Sequence, residues 1–215
     1  MARKKINKIG IFGGTFNPVH KGHEISGIEF YEKFNLGRLI IIPANIPPHK
    51  KNYGGVSPRE RLDMCRLCFN KYENDYNIEV SDIEIKKDGV SYTFDTLEAL
   101  REIYPPYQNL IYFLVGSDMF LELEHWHRYK EILDMCVFVS ALRNNNKTER
   151  EKVTEFQREL LSRGYKTEII ENNIVEISST ELREKIKRGE PESELLEYLS
   201  PEVLNYIKER RIYVL

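Results

Sequence analysis

The stretch Ile9-Gly10-Ile11-Phe12-Gly13-Gly14-Thr15-Phe16-Asn17-Pro18-Val19-His20-Lys21-Gly22-His23 decides the fold of this chain. Its apolar first part, residues 9–12, predicts a short buried strand, and two glycines then end the strand in a turn. Residues 23–34 carry apolar side chains at helical spacing and predict an amphipathic helix. A strand, a glycine turn and a helix in this order present main-chain N–H groups and the positive end of a helix dipole to a phosphate.

Two histidines stand directly behind the glycine turn. His20 and His23 are three residues apart, so we expect them on one face at the start of the predicted helix. Each imidazole can donate a hydrogen bond to a phosphate oxygen, and each becomes a cation when protonated. A glycine turn alone is most often only a tight turn, and a single histidine there is most often a cap. The two histidines together favour a phosphate site.

Length and composition narrow the class of protein. The 215 residues predict a single domain, 1–215, with a helical subregion over about 178–215. The net charge of −2 gives no support for nucleic-acid binding by bulk charge. The sequence has neither a membrane-spanning apolar run nor the apolar stretch of a signal peptide. Three cysteines cannot all pair, which favours a reducing cytoplasm. Cys65 and Cys68 lack a second pair and are expected to face the core.

Strand and helix patterns alternate along the rest of the chain. Buried strands are predicted at 38–42, 110–115 and 137–142, a strand or strand pair over 78–85, and short strands at 168–170 and 175–177. This alternation predicts an α/β fold with a doubly wound parallel sheet, which binds ligands beyond the C-terminal ends of its strands. The glycine turn, Gly116-Ser117-Asp118 and Ser178-Ser179-Thr180 all fall at such ends.

A second candidate phosphate site lies at Ser178-Ser179-Thr180-Glu181-Leu182-Arg183. Hydroxyls and unpaired N–H groups crowd a predicted helix start, and Arg183 follows one turn later on the side of Ser179 and Thr180. Alone, this stretch would be interpreted as a plain helix cap with a solvated arginine. Together with the first motif, it favours a second binding site for a chain of phosphates.

These motifs resemble a known family. Residues 13–18 followed by His20-x-Gly22-His23 resemble the (H/T)xGH signature of the nucleotidyltransferase superfamily, and most of all its bacterial nicotinate-nucleotide adenylyltransferases. The family usually has Asp at position 17, and the Asn17 of this chain also suits a turn. The resemblance covers nearly the whole chain. It implies a Rossmann-like nucleotidyltransferase fold and adenylyl transfer from ATP to nicotinate mononucleotide, which yields nicotinate adenine dinucleotide and pyrophosphate for NAD synthesis.

The resemblance also assigns residues to the ATP half of the site. The Ser-(Ser/Thr)-Thr-x-x-Arg element around Ser179 is a second hallmark of the family, where it grips the β- and γ-phosphates. The implied catalytic residues are His20, His23 and Arg183. ATP would be bound by Gly13, Gly14, Thr15, Phe16, His20, His23, Asp118, Ser179, Thr180 and Arg183.

Further matches concern the nicotinate half. The segment Ser91-Tyr92-Thr93-x-x-Thr96-Leu97 resembles the one whose main-chain N–H meets the nicotinate carboxylate, and Phe113-x-x-Gly116-Ser117-Asp118 with Trp126 resembles the one that stacks the pyridine ring. On composition alone, core packing is an equal explanation for Phe113 and Trp126. The family often shows Arg-Pro-Gly where this chain has Arg143-Asn144-Asn145. The implied substrate-binding residues are Thr15, His49, Lys50, Thr93, Phe113, Trp126, His127 and Arg143.

The expected chemistry is positioning and charge stabilisation, because a phosphate dianion is already a nucleophile. Mg²⁺ is expected to arrive bound to ATP, since no carboxylate cluster suggests a protein cage. The expected partners are ATP and nicotinate mononucleotide, with a homodimer left open and with no nucleic acid or membrane. Three alternatives stay open: a pantetheine-phosphate adenylyltransferase, a Rossmann oxidoreductase, which would need Gly-x-Gly-x-x-Gly, and a non-catalytic nucleotide-binding module.

Overall fold

A six-stranded parallel sheet forms the centre of the molecule, which a computed structural model describes over residues 7–47, 55–87, 89–143, 147–172 and 177–213. The strand order is β3-β2-β1-β4-β5-β6, and every pair of neighbours runs parallel. The chain winds away from β1 in both directions, so the predicted doubly wound α/β fold is confirmed. The strands are β1 (Asn7–Gly14), β2 (Arg38–Pro43), β3 (Ile78–Val80), β4 (Asn109–Gly116), β5 (Val137–Arg143) and β6 (Thr167–Asn172).

Helices cover both faces of this sheet. They are α1 (Lys21–Phe34), α2 (Pro58–Phe69), α3 (Thr93–Ile103), α4 (Ser117–Leu121), α5 (Tyr129–Met135), α6 (Lys147–Ser162), α7 (Ser179–Lys187), α8 (Glu192–Leu195) and α9 (Pro201–Glu209). Two short 3₁₀ turns occupy Asn70–Tyr72 and Leu123–His125. In the part of the chain that the structure describes, no helix combines the length and the apolarity needed to cross a membrane.

Alternate strand residues point into two separate apolar layers, as a sheet covered on both faces requires. On β2, for example, Leu39 and Ile41 enter the layer beneath α1, α2, α7 and α9, whereas Ile40 and Ile42 enter the layer beneath α3, α5 and α6. Cys65 and Cys68 are buried in the first layer, as predicted. Helix α1 lies so close to β1 that a Cβ on Gly10 would stand 2.8 Å from Phe30 Cε1 of this helix.

The C-terminal helices pack into the first layer beside the sheet. Leu182, Leu199 and Val203 share this core with Phe12 of β1. The start of α1 is tied to the same region, because the Lys21 main-chain N–H donates to the carbonyl of Tyr198 at 2.8 Å. The division of the chain into one domain with a C-terminal subregion stays a prediction.

The structure corrects two strand predictions. Strand β3 ends at Val80, and the residues after it form a turn in which the Lys86 N–H donates to the Asp82 carbonyl at 3.0 Å. The apolar alternation over 78–85 was misleading because Ile83 packs against the core from that turn. Ile177 is buried outside any strand, while the remainder of the predicted 175–177 strand lies outside the described residues.

Candidate active site

A cavity of about 760 Å³ opens at the C-terminal ends of β1 and β4. This is where the strand order reverses, the usual ligand crevice of an open parallel sheet. Most of the predicted site residues line it: Gly13, Gly14, Thr15, His20, His23, Thr93, Phe113, Asp118, Trp126, His127, Ser179 and Thr180. The sheet therefore brings together segments that stand more than 160 positions apart in the sequence.

The glycine turn is shaped by aromatic packing. A Cβ on Gly13 would lie 3.2 Å from Phe113 Cζ, and a Cβ on Gly14 would lie 3.0 Å from Phe16 Cζ, so a larger residue at either position would require these rings to shift. Phe16 itself takes a left-handed backbone conformation, with φ of 49°, and its ring is buried. It packs edge-on against Phe12 and His23, at ring distances of 5.3 and 5.0 Å. Phe16 therefore shapes the turn from behind and does not line the cavity.

The two histidines stand together at the start of α1, as predicted. His20 is the N-cap residue, His23 is the third helical residue, and their ring centres are 3.8 Å apart. The main-chain N–H of His20 donates to Nδ1 of His23 at 3.3 Å. A neutral imidazole that accepts at Nδ1 carries its proton on Nε2. His23 thus closes the helix start with one nitrogen and can offer a donor with the other.

Helix α7 is anchored directly to the glycine turn. Ser179 Oγ donates to the Pro18 carbonyl at 3.0 Å, and Arg183 Nη1 donates to the Asn17 carbonyl at 2.8 Å. Ser178 caps α7 by accepting from the Glu181 N–H at 3.1 Å. Two helix N-termini, those of α1 and α7, therefore border one cavity, which suits a chain of phosphates. The guanidinium of Arg183 braces the turn and is not part of the cavity lining.

A buried arginine that the sequence analysis did not single out joins two loops of the site. Arg61 of α2 donates from Nη1 to the Thr15 carbonyl at 2.7 Å and from Nη2 to the Asn45 carbonyl at 2.9 Å. It holds the turn after β1 against the loop after β2. Its helical spacing from the buried Cys65, four residues on, was a signal that it lies on the inner face of α2.

The C-terminal end of the described chain also reaches the glycine turn. The hydroxyl of Tyr213 donates to Oδ1 of Asn17. Burial raises the pKa of the Tyr213 hydroxyl well above its ordinary value, so the hydroxyl keeps its proton for this bond. Asn17 thus fixes the turn through both its side chain and its main chain.

The other half of the cavity is aromatic. Trp126 stands edge-on to Phe113 at a ring distance of 6.5 Å, and the Tyr92 and His127 rings are 4.8 Å apart. Phe113 is almost fully buried and still borders the cavity, so core packing and site lining both apply to it. Helix α3 begins here, at Thr93, and Tyr92 provides no side-chain cap. An uncapped helix start leaves main-chain N–H donors for a ligand.

No lysine or arginine of the described chain lines this cavity. The nearest candidate in sequence, Arg128, lies flat over the Phe94 ring, with its guanidinium carbon 3.4 Å from the ring centre. It is also paired with the carboxylate of Glu131, to which its Nε donates at 2.7 Å. Its charge is therefore engaged outside the cavity.

Of the residues that the structure describes, two carboxylates line the cavity, Asp118 and Glu84. Asp118 was predicted, and Glu84 was not, because the residues around it were interpreted as a strand. Glu84 Oε1 accepts from Thr96 Oγ1 at 2.8 Å. Among the described residues, no group of three or more His, Cys, Asp and Glu side chains could hold a metal ion. The predicted residues His49 and Lys50, and the side chain of Arg143, lie outside what the structure describes.

Comparisons with known proteins agree on the family. The family model described as cytidylyltransferase-like matches residues 11–185. A protein of Carboxydothermus hydrogenoformans named "Probable nicotinate-nucleotide adenylyltransferase" is 39% identical over 96% of this chain and 98% of its own length. One of Fusobacterium nucleatum with the same name is 40% identical over 88% of this chain and 92% of its own length.

A solved structure shares the fold. The Plasmodium falciparum nicotinic acid mononucleotide adenylyltransferase complexed with NaAD superimposes with a TM-score of 0.75 at 20% identity, over 96% of this chain and 97% of that one.

Proposed function

The chain belongs to the cytidylyltransferase-like family and, within it, to the nicotinate-nucleotide adenylyltransferases, and from this membership we propose that it transfers the adenylyl group of ATP to nicotinate mononucleotide. The products are nicotinate adenine dinucleotide and pyrophosphate, and the reaction belongs to NAD biosynthesis. One observation carries the proposal. The starts of α1 and α7 and the histidine pair, together called the phosphate cradle, border one half of the cavity. The other half is an aromatic chamber formed by Tyr92, Phe113, Trp126 and His127, and it ends at the uncapped start of α3.

The cradle accounts for the transfer. The 5′-phosphate of the mononucleotide attacks the α-phosphorus of ATP in line, so the bond to the β-phosphate oxygen breaks and pyrophosphate leaves with the electron pair. His20 and His23 stand where donors and positive charge would stabilise the α-phosphate and the departing pyrophosphate. The hydroxyls of Ser179 and Thr180 border the same space from α7, on the side expected for the β- and γ-phosphates. No residue needs to act as a general base, because the nucleophile is already anionic.

The aromatic chamber accounts for the second substrate. A pyridine ring stacked on Trp126 would direct its carboxylate toward the start of α3, where the Thr93 N–H is available. The absence of lysine and arginine from the described lining supports recognition by main-chain donors. A carboxylate can accept from two such donors, whereas a carboxamide turns its own NH₂ toward one of them. This favours the acid over the amide.

The proposal also includes the metal ion, the cellular compartment and the oligomeric state. Mg²⁺ enters as the ATP complex, held by phosphates and water, as is usual for this ion. The enzyme works in the cytoplasm, which the three free, buried cysteines support. A homodimer is the assembly to test first, by light scattering.

A product assay tests the proposal. The purified protein is incubated with MgATP and nicotinate mononucleotide, and the dinucleotide is quantified by chromatography together with released pyrophosphate. Phosphopantetheine replaces the mononucleotide in one control, and CTP replaces ATP in another. We expect product only with ATP and the pyridine mononucleotide. Product with phosphopantetheine would show that the protein is a pantetheine-phosphate adenylyltransferase. No turnover with any combination of substrates would indicate a non-catalytic nucleotide-binding module.

A further inference from the structure

Glu84 is a carboxylate placed where an anionic substrate is expected to bind. It lies on the turn after β3 and borders the cavity beside Ser91, Tyr92 and Thr93. A bare negative charge there would repel a substrate carboxylate. Its role must therefore follow from what it holds in place.

The carboxylate of Glu84 is tied to α3 through a hydroxyl group. It accepts from Thr96 Oγ1, on the first turn of α3, at 2.8 Å. This bond directs the charge of Glu84 into the protein, toward the segment that begins α3. Partial burial nevertheless raises the pKa of Glu84 above its ordinary value, although the hydroxyls of Thr96 and Ser91 oppose that rise.

The same segment is braced from the loop after β2. Ser91 Oγ accepts from the Asn45 N–H at 2.9 Å, and the Ser91 N–H donates to the Ile46 carbonyl at 2.9 Å. The Asn45 carbonyl in turn accepts from Arg61, which also holds Thr15 of the glycine turn. Hydrogen bonds therefore connect the glycine turn to Ser91, and the chain runs from Ser91 into α3, where Thr96 donates to Glu84.

From these bonds we infer that Glu84 is a positioning residue that sets the specificity of the site: it fixes the uncapped start of α3 so that the N–H of Thr93 meets a substrate carboxylate. The inference rests on the proposed function. Since Tyr92 provides no side-chain cap, this helix start is held by the bonds of Ser91 to the loop after β2 and by the bond that Glu84 accepts from Thr96. Glu84 touches neither the reacting phosphorus nor the attacking oxygen in this account.

Three variants separate this role from a merely structural one. Glu84→Ala removes the bond to Thr96 together with the charge, Glu84→Gln keeps an acceptor for Thr96 without the charge, and Thr96→Val removes the bond and keeps the charge. Asp82→Ala is the matched control, because Asp82 lies on the same turn, pairs with Lys86 at 3.0 Å and is not part of the cavity lining.

The kinetic readout is kcat/KM for nicotinate and for nicotinamide mononucleotide, with KM for ATP alongside. We expect Glu84→Ala to raise KM for the nicotinate substrate roughly 10-fold and to lower the acid preference by the same factor, because a hydrogen bond to a charged group contributes at least that much. Thr96→Val shifts the same quantities less, Glu84→Gln restores most of the preference, and KM for ATP stays near the wild-type value. An unchanged acid preference in Glu84→Ala, or a preference that Glu84→Gln increases, would overturn the inference.

A second readout needs no activity. Amide hydrogen exchange of the peptide that covers 91–97 is compared between wild type, Glu84→Ala and Asp82→Ala. We expect faster exchange in Glu84→Ala alone. Equal exchange in all three proteins refutes the positioning role even if wild type makes no dinucleotide, whereas a wild type that forms none refutes the proposed function. The two failures are therefore distinguishable.

Discussion

His23 holds the start of α1 through Nδ1, and replacing it with asparagine separates this role from what Nε2 contributes to the reaction. Nδ1 accepts from the His20 main-chain N–H at 3.3 Å. Asparagine Oδ1 can take the place of Nδ1, whereas no atom of asparagine reaches the place of Nε2. The variant His23→Asn therefore keeps the start of α1 and removes the donor that we assign to the phosphates.

The expected changes in kcat and in Tm follow from these two roles of His23. Removing one preorganised donor from a developing oxyanion lowers kcat by roughly 10²–10³-fold, or about 2.7–4 kcal/mol. Losing a helix cap costs about 0.5–2 kcal/mol, and the long 3.3 Å bond places His23 near the low end. In a domain of this size, 1 kcal/mol shifts Tm by about 2–4 °C. We expect His23→Asn to lose turnover with little change in Tm, and His23→Ala to lose turnover and a few degrees of Tm.

The assay is the initial rate of dinucleotide formation at saturating substrates, with KM for ATP and Tm measured on the same preparations. A turnover in His23→Asn within about 3-fold of wild type would refute the assigned role of Nε2. So would a loss of turnover that follows Tm across both variants, since that result would make His23 a cap and nothing more.

Three further predictions follow from other contacts. Arg183→Ala should weaken binding of a non-hydrolysable ATP analogue by roughly 10-fold or more, because its guanidinium braces Asn17 of the glycine turn and a charge-assisted bond of this kind is worth about 1.5–3 kcal/mol; unchanged affinity in titration calorimetry would show that this brace does not contribute to ATP binding. The enzyme should prefer nicotinate over nicotinamide mononucleotide by roughly 10–10³-fold in kcat/KM, at about 1–3 kcal/mol for each donor left unpaired, and Arg128→Ala should keep that preference; a preference abolished in Arg128→Ala would contradict recognition by main-chain donors. All three thiols should resist a thiol reagent at pH 8 until the protein is unfolded, because each is buried and burial raises its pKa, which disfavours the reactive thiolate; rapid labelling of the native protein would contradict their burial.

Local patterns in the sequence were sufficient for the fold and for the two helix starts that border the cavity. The strand, glycine turn and helix of residues 9–34 are encoded by period and by turn chemistry, which act between near neighbours in the chain. The hydroxyl-rich stretch at 178–180 likewise predicted the start of a helix, and α7 begins there. The alternation of strands and helices then left few topologies, since parallel connections are right-handed and short.

The side chains that connect these parts depended on tertiary structure. Arg61 is like any helical arginine in the sequence, and only packing shows that it is fully buried between two carbonyl groups. Glu84 was assigned to a strand because apolar alternation does not reveal that Ile83 packs from a turn.

The contacts of Tyr213 and Arg128 also come from distant segments, which local sequence patterns do not reveal. The bond from Tyr213 to Asn17 spans 196 positions of the chain, and the guanidinium of Arg128 lies over Phe94, which belongs to another helix. The sequence alone determined the backbone elements and the polar groups at their ends, because short-range sterics and hydrogen bonding decide those. Only the tertiary structure determined which charges are held by the protein and which are left for a ligand, because that depends on burial and on partners from distant segments.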